Sequence, residues 1–173
     1  PGDHLWERFA GFLPFDDPDP SVSLGEGDTP LLPPGAFLSE YTGSRDLWLK
    51  NETVNPTWSF KDRGTLTSMW MSRQMGEKVT ATISTGNMGH SVAAYAARAG
   101  LQAVVFIPDF TPREKILPIA LHGARIIRVQ APDYAGMKKR ILEMAARLKL
   151  RIVSGNGPLR VEGYKLTAFE MYE

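Results

Sequence analysis

The chain contains no cysteine among its 173 residues. This absence excludes disulfide bonds, thiolate catalysis and any zinc or iron–sulfur site that depends on cysteine ligands. Histidine is also scarce, since only His4, His90 and His122 occur and they lie far apart in the sequence. We therefore predict no metal site.

An excess of charge and long apolar runs are also missing. Lysine and arginine number 20 against 19 aspartates and glutamates, for a net charge of +1. This balance argues against a nucleic-acid partner. No apolar run approaches the roughly 20 residues that a membrane span needs, which argues against a membrane partner. The start of the chain, "PGDHLWERF", has no signal-peptide pattern, so we expect a cytoplasmic location, and its lack of an initiator methionine suggests a trimmed chain.

Hydrophobic periodicity divides the chain into alternating elements. Residues 1–35 are rich in proline, glycine and aspartate and predict extended, turning chain rather than helix. Strands are predicted over 46–52, 79–84, 101–108, 124–129 and 151–156. Helices are predicted over 59–76, 89–100, 113–123, 134–150 and from 160 to the end. The last four of these strands are apolar and are separated by helices, which indicates an α/β fold with a mostly parallel sheet.

Ligands of such folds bind beyond the carboxyl ends of the strands, and two loops there could hold an anion. The loop "STGNMGHS", 84–91, offers hydroxyls, an amide and backbone N–H groups at the start of a helix. Such a loop is more often an ordinary helix start, in which Thr85 or Asn87 is the cap and Gly86 makes the turn. The second loop, "SGNGPLRVEG", 154–163, places Arg160 at a helix entrance, where it either pairs with an oxyanion or lies on the surface.

Lys61 lies in the first turn of the helix predicted over 59–76, after the turn "NPT". Ser59 and Asp62 have the spacing of a capping box. A lysine at a helix N-terminus faces the positive end of the helix dipole, and burial beside Phe60 would remove its hydration. Both effects favour the neutral amine, which is the form that attacks a carbonyl. Taken alone, this lysine is more often structural than catalytic.

Several stretches, taken together, resemble the threonine synthase family of fold type II pyridoxal-phosphate enzymes, which is similar also to serine/threonine dehydratases and the tryptophan synthase β chain. They are "SLGEGDTPLLP", "LKNETVNPTWSFKDRG", "STGN" with "AAYAARAGL", "GARIIRV" and "RVEGYKLTAFE". The resemblance runs from about Leu24 to Glu173, and "NPTWSFKDRG" is its most specific motif. It implies a three-layer fold with a parallel sheet, built from an incomplete large domain and a small mobile domain.

The resemblance also implies roles for individual residues. Lys61 matches the catalytic lysine that forms the Schiff base with pyridoxal 5'-phosphate. Asn87 matches the asparagine that hydrogen-bonds the ring hydroxyl of the cofactor. The residues that match the substrate-binding part of the family are Ser84, Thr85, Gly86, Asn87, Met88 and, for the substrate phosphate, Arg160. Phe60 and Asp62 match residues that frame the lysine, Phe60 on the cofactor side.

The activity implied is the conversion of O-phospho-L-homoserine and water to L-threonine and phosphate. Three departures leave other substrates open: Trp58 stands where many relatives have glycine, Met88 replaces a threonine, and "SGN" at 154–156 replaces an Asn-Ser pair. The alternatives are a serine/threonine dehydratase, a phosphoserine-using synthase and, from another class, an inactive fragment or pseudoenzyme that binds a partner. A nicotinamide-binding domain would share the α/β architecture, but the sequence lacks the glycine-rich motif of such domains.

Family members are considerably longer, and the loop that cups the cofactor phosphate lies beyond the equivalent of Glu173. We therefore expect an N-terminal half that is inactive alone, from a parent enzyme that forms a homodimer. The expected division is 1–58 as part of the large domain, 59–155 as the small domain with Lys61 and the asparagine loop, and 156–173 as the return into the large domain.

Overall fold

The structure is a computed structural model, and it describes residues 4–16, 18–44 and 46–173. The α-helices are α1 (Leu5–Arg8), α2 (Ala36–Thr42), α3 (Lys61–Gln74), α4 (Asn87–Arg98), α5 (Arg113–Ala120), α6 (Tyr134–Arg147), α7 (Pro158–Tyr164) and α8 (Leu166–Tyr172). The strands are β1 (Leu31–Leu32), β2 (Leu49–Lys50), β3 (Val79–Ile83), β4 (Gln102–Pro108) and β5 (Arg125–Val129). Short 3-10 helices span Ala10–Phe12, Pro20–Val22 and Glu52–Val54. Of the helices in this part of the chain, none combines the length and apolar character needed to cross a bilayer.

The main sheet is parallel, with strand order β3-β4-β5. Successive side chains of β4 point to opposite faces. Val105 and Ile107 pack with residues of α4 and α5 on one face, and Phe106 packs with Met137 and Ile141 of α6 on the other. The sheet is therefore covered on both sides, which confirms the predicted three-layer α/β architecture.

Three predicted elements differ from the structure. The predicted strand over 151–156 is a single bridge between Ile152 and Ala81 of β3, because the chain turns away at Gly155 and Asn156. The predicted strand over 46–52 is only the two-residue β2, which pairs antiparallel with β1. The helix predicted from residue 160 begins at Pro158 and is interrupted at Lys165 to form α7 and α8.

The prediction of extended chain over residues 1–35 is also wrong in part, because helical turns lie within it. Helix α1 buries Leu5 and Trp6, and Trp6 packs edge-on against Trp70 of α3. Burial of these side chains stabilises a helix too short to persist alone. Residues 1–3 and 17, which belong to the same prediction, lie outside the described residues.

Helix α3 is the central element of the larger core cluster and is buried along most of its length. It packs against α4 and, very closely, against α7. Its buried hydroxyls have partners: Thr65 donates to the Lys61 carbonyl, Ser68 to the Gly64 carbonyl and Thr67 to the Leu159 carbonyl of α7. Contacts of α3 therefore cross both predicted domain boundaries, and the division at 58/59 and 155/156 stays a prediction.

Candidate active site

The turn before Lys61 is held by hydrogen bonds within the motif. The Asp62 carboxylate accepts the Thr57 N–H at 2.6 Å and also accepts the Thr57 hydroxyl. The Ser59 hydroxyl oxygen accepts the Lys61 N–H at 3.2 Å. The predicted capping box between Ser59 and Asp62 is therefore not formed, because Asp62 binds Thr57 instead. Burial raises the pKa of Asp62, and the bonds donated by Thr57 oppose this shift.

The Lys61 amine lies between two aromatic rings. Its Nζ is 4.1 Å from the centroid of the Phe60 ring and 5.3 Å from that of Tyr164. It forms no hydrogen bond or ion pair with any residue that the structure describes. Burial, followed by the positive charge of Arg160, lowers the pKa of Lys61. A free amine with a lowered pKa is suited to attack an aldehyde.

Arg160 is only 1% exposed and lies behind Lys61 rather than at the surface. Its Nη1 donates to Thr65 Oγ1 at 2.8 Å and its Nη2 donates to the Lys61 carbonyl at 3.0 Å. Its Nε and Nη2 also donate to the Tyr164 hydroxyl at 2.9 and 2.6 Å. The predicted substrate-phosphate residue is thus near the lysine, with its donors directed at protein groups.

The loop over 84–88 leaves several polar groups without partners. Ser84 Oγ accepts the N–H groups of Gly86 at 3.3 Å and Gly89 at 3.1 Å. Within the described residues, the Thr85 hydroxyl, the Asn87 amide and the backbone N–H groups of Asn87 and Met88 form no hydrogen bond. The N-cap is Gly86, so the interpretation that Thr85 or Asn87 caps the helix is wrong. Free donors at the start of α4 are suited to a carboxylate or phosphate.

A cavity of about 230 Å³ connects this loop to the lysine turn. Its wall includes Thr57 and Trp58 on one side and Thr85, Gly86 and Asn87 on the other. The turn that precedes Lys61 and the loop that carries Asn87 therefore share a cleft, although Lys61 itself does not line it. Helices α3 and α4 are also joined behind it, since the Ser91 hydroxyl donates to Thr65 Oγ1 at 2.7 Å.

A second cavity, of about 440 Å³, lies at the carboxyl end of β3. Ser84 and Met88 line it from one side and the segment 154–156 from the other. Lys138 of α6 lines it as well. Two of the three departures from the family pattern, Met88 and "SGN", thus border the same space.

Two features near the site were not predicted from the sequence. His90 and His122 place their Nε2 atoms 3.2 Å apart, although they are 32 residues apart in the sequence. Burial, and then the charge of His122, lower the pKa of His90. Tyr164 was also missed, and its i+4 spacing from Arg160 on one helix is the only signal that could have indicated their contact.

These residues fit pyridoxal phosphate. Lys61 supplies a free amine for the aldehyde, and Phe60, which is partly exposed, offers an aromatic surface beside it. Asn87 offers a free amide, and the start of α4 offers unpaired N–H groups for an anion. Each of these groups lies on an element that the sheet or α3 fixes in place.

Comparison with known proteins supports this assignment. The sequence profile of the family described as "Pyridoxal-phosphate dependent enzyme" matches residues 22–173. Threonine synthase of a Bacillus species (strain ULM1) is 36% identical over 168 residues, covering 96% of this chain and 47% of the relative. Threonine synthase of Methanocaldococcus jannaschii is 34% identical, covering 96% of this chain and 41% of the relative. Threonine synthase of Mycobacterium tuberculosis is 37% identical over 163 residues, covering 93% and 44%.

Solved structures show the same fold. The processed form of threonine deaminase isoform 2 from Solanum lycopersicum superposes with a TM-score of 0.77 at 23% identity, covering 98% of this chain and 46% of that one. Maize serine racemase gives a TM-score of 0.75 at 20% identity, covering 96% and 46%. The chain spans about half the length of the relatives that it matches. The chain belongs to the family of pyridoxal-phosphate dependent enzymes, with the fold type II architecture.

Proposed function

We propose that the protein containing this chain is a pyridoxal-phosphate dependent threonine synthase, which converts O-phospho-L-homoserine and water to L-threonine and phosphate. The observation that carries the proposal is the Lys61 amine, which has a lowered pKa and no partner among the described residues. Identities of 34–37% to threonine synthases across nearly the whole chain support this substrate over others.

The residues divide the work between binding and proton transfer. Lys61 would hold the cofactor aldehyde through Nζ and, when not bound to it, would accept and return protons at the carbon atoms of the substrate. The cofactor, when bound, supplies the electron sink for these steps. Asn87 holds the cofactor ring, while Thr85 and the unpaired N–H groups of Asn87 and Met88 hold the substrate carboxylate. In this proposal Ser84 shapes the loop through its bonds to Gly86 and Gly89.

A second candidate is a serine/threonine dehydratase or a phosphoserine-using synthase. It is favoured by the cavity at the end of β3, where Met88 and the segment 154–156 depart from the threonine synthase pattern. Arg160 supports the dehydratase of these two, whose substrates carry no phosphate, because its donors are directed at Thr65, Tyr164 and the Lys61 carbonyl rather than at open space. A candidate from another class is a non-catalytic relative that binds a partner protein.

Product analysis separates these candidates. The full-length protein is loaded with pyridoxal phosphate and then incubated in four separate reactions, with O-phospho-L-homoserine, L-threonine, L-serine or O-phospho-L-serine. Equal amounts of phosphate and threonine from the first substrate support threonine synthase. A 2-oxo acid and ammonia from threonine or serine would favour the dehydratase. Phosphate released from O-phospho-L-serine but not from O-phospho-L-homoserine would favour the phosphoserine-using synthase. No product from any substrate would favour the binding protein. Lys61→Ala is the control for each reaction.

Four further expectations from the sequence also remain predictions. A homodimer and a cytoplasmic location stay predictions, as do the inactivity of this chain alone and the division into two domains. Size-exclusion chromatography with light scattering on the full-length protein would test the first of them.

A further inference from the structure

The surroundings of the Lys61 amine are largely built by one neighbouring helix. Tyr164 of α7 places its ring centroid 5.3 Å from Lys61 Nζ and 4.9 Å from the centroid of the Phe60 ring. The amine therefore lies beside two rings that contact each other. This packing limits the contact of Nζ with water, and the loss of hydration disfavours the ammonium form. The faces of the two rings attract an ammonium and oppose this effect, but burial lowers the pKa of Lys61 overall.

Arg160 holds Tyr164 in this position. Its Nε and Nη2 both donate to the Tyr164 hydroxyl, at 2.9 and 2.6 Å. The same guanidinium donates to the Lys61 carbonyl at 3.0 Å and to Thr65 Oγ1 at 2.8 Å. One buried side chain thus fixes both the ring over the amine and the helical turn that carries it.

Other charged groups around this turn are engaged elsewhere. On α3 itself, Asp62 accepts two bonds from Thr57, and Arg63 pairs with Glu52 and Glu170. On α4, His90 contacts His122 and Trp58.

On α7, Glu162 pairs with Lys165. Arg160 is the charged group whose proximity lowers the pKa of Lys61, and it acts together with burial.

We propose that Tyr164 and Arg160 are positioning residues for Lys61, which hold its amine between two rings and limit its contact with water. The inference rests on the proposed catalytic role of Lys61 but concerns the amine before any cofactor is bound. Arg160 then acts on the lysine through its charge and through Tyr164, whether or not it also meets a substrate.

Trace acetylation tests this directly on the full-length protein without cofactor. The protein is labelled with a limiting amount of acetic anhydride between pH 7 and pH 11, and labelling of the Lys61 peptide is measured by mass spectrometry relative to exposed Lys139. The ratio of labelling at pH 8 to labelling at pH 11 reports the uncharged fraction and is insensitive to how accessible the amine is. Because no cofactor is present, failure of this test is distinct from failure of the proposed function.

In Tyr164→Leu and in Arg160→Gln, we expect the pKa of Lys61 to rise by roughly half a unit. At a pH well below the pKa, such a rise lowers the uncharged fraction, and therefore the ratio, by roughly threefold. Tyr164→Phe keeps the ring and should restore most of the ratio. Tyr172→Leu, at an exposed tyrosine of α8, is the matched control and should leave it unchanged. Circular dichroism confirms folding, and Phe60→Leu, at a partly exposed ring, carries the same test if Tyr164→Leu does not fold.

A ratio in folded Tyr164→Leu or Arg160→Gln equal to that of the wild type would overturn the role given to that residue. A ratio in Tyr164→Phe as low as in Tyr164→Leu would overturn the role given to the ring.

Discussion

Trp58 is held in a backbone conformation that suits glycine better. Its φ is +61°, in the left-handed region where an L-residue with a side chain is strained. Its side chain is 69% exposed, so burial contributes little to offset that strain. The ring packs edge-on against His90 and lines the cleft with Asn87. Strain retained at such a position is typical of functional sites.

Replacing Trp58 should separate the backbone strain from the contacts of the ring. Trp58→Gly and Trp58→Ala both lose the ring, but only glycine adopts a positive φ without strain. We expect the glycine variant to be more stable than the alanine variant by about 1 kcal/mol in urea-induced unfolding. Equal stabilities of the two variants would show that the backbone at this position carries no strain.

The sequence could indicate only those site residues that lie in a recognisable short motif. Lys61 and Asn87 lie in short motifs, and their predicted roles came from the resemblance of these motifs to a family. Tyr164 contacts Lys61 across about a hundred positions, and His90 contacts His122 across 32. Contacts of this kind are set by helix packing, which no local pattern encodes.

At the scale of the elements, α3 and α7 approach so closely that only glycine fits between them. A Cβ atom added to Gly163 would lie 2.1 Å from the Arg63 carbonyl oxygen. A Cβ atom added to Gly64 would lie 2.6 Å from the Tyr164 ring. This approach brings Arg160 and Tyr164 to Lys61, so the packing of two helices determines the environment of the amine.

Gly163→Ala should therefore destabilise the fold. Because the clash is with backbone atoms, the helices must move apart, and we expect the free energy of unfolding to fall by about 3 kcal/mol. Gly11→Ala, where no atom lies within 4 Å of the added Cβ, is the control and should change it by less than about 0.5 kcal/mol. Urea unfolding followed by circular dichroism measures both variants, and similar stabilities would contradict the proposed close contact.

The order of helices and parallel strands from β3 to α6 agrees with the sequence prediction. These elements have strong hydrophobic periodicity, and Gly76, with a φ of +68°, follows the end of α3 near the predicted stop. The prediction failed for segments whose secondary structure depends on contacts with residues distant in the sequence. Segment 151–156 has the composition of a strand, but only Ile152 pairs with β3. Helix α1 forms because Leu5 and Trp6 are buried against distant residues.

At the scale of the whole molecule, an ion network joins the last helix, α8, to α3 and to the segment that precedes it. Arg63 of α3 pairs with Glu52 at 2.7 Å and with Glu170 of α8 at 2.6 Å, and Glu170 also pairs with Lys50. Burial raises the pKa of Glu52, but hydrogen bonds from Arg63 and Thr29 outweigh it and lower the pKa overall. The network holds α8 against the turn that precedes Lys61.

Glu170→Gln should weaken this connection strongly. Removing one carboxylate leaves the buried charges of Arg63 and Lys50 poorly compensated, and we expect a loss of about 3 kcal/mol in the free energy of unfolding. Glu173→Gln, which removes a surface ion pair with Arg8, should cost less than about 1 kcal/mol. If the two variants unfold at the same urea concentration, the network does not stabilise the fold.

The central claim is that Lys61 is the residue that binds pyridoxal phosphate. We would incubate the full-length protein that contains this chain with an equimolar amount of pyridoxal phosphate, reduce it with sodium borohydride and locate the added mass by peptide mass spectrometry. The account predicts a single adduct on the peptide containing Lys61, which disappears in Lys61→Arg. An adduct spread over exposed lysines such as Lys139, with no preference for Lys61, would contradict it.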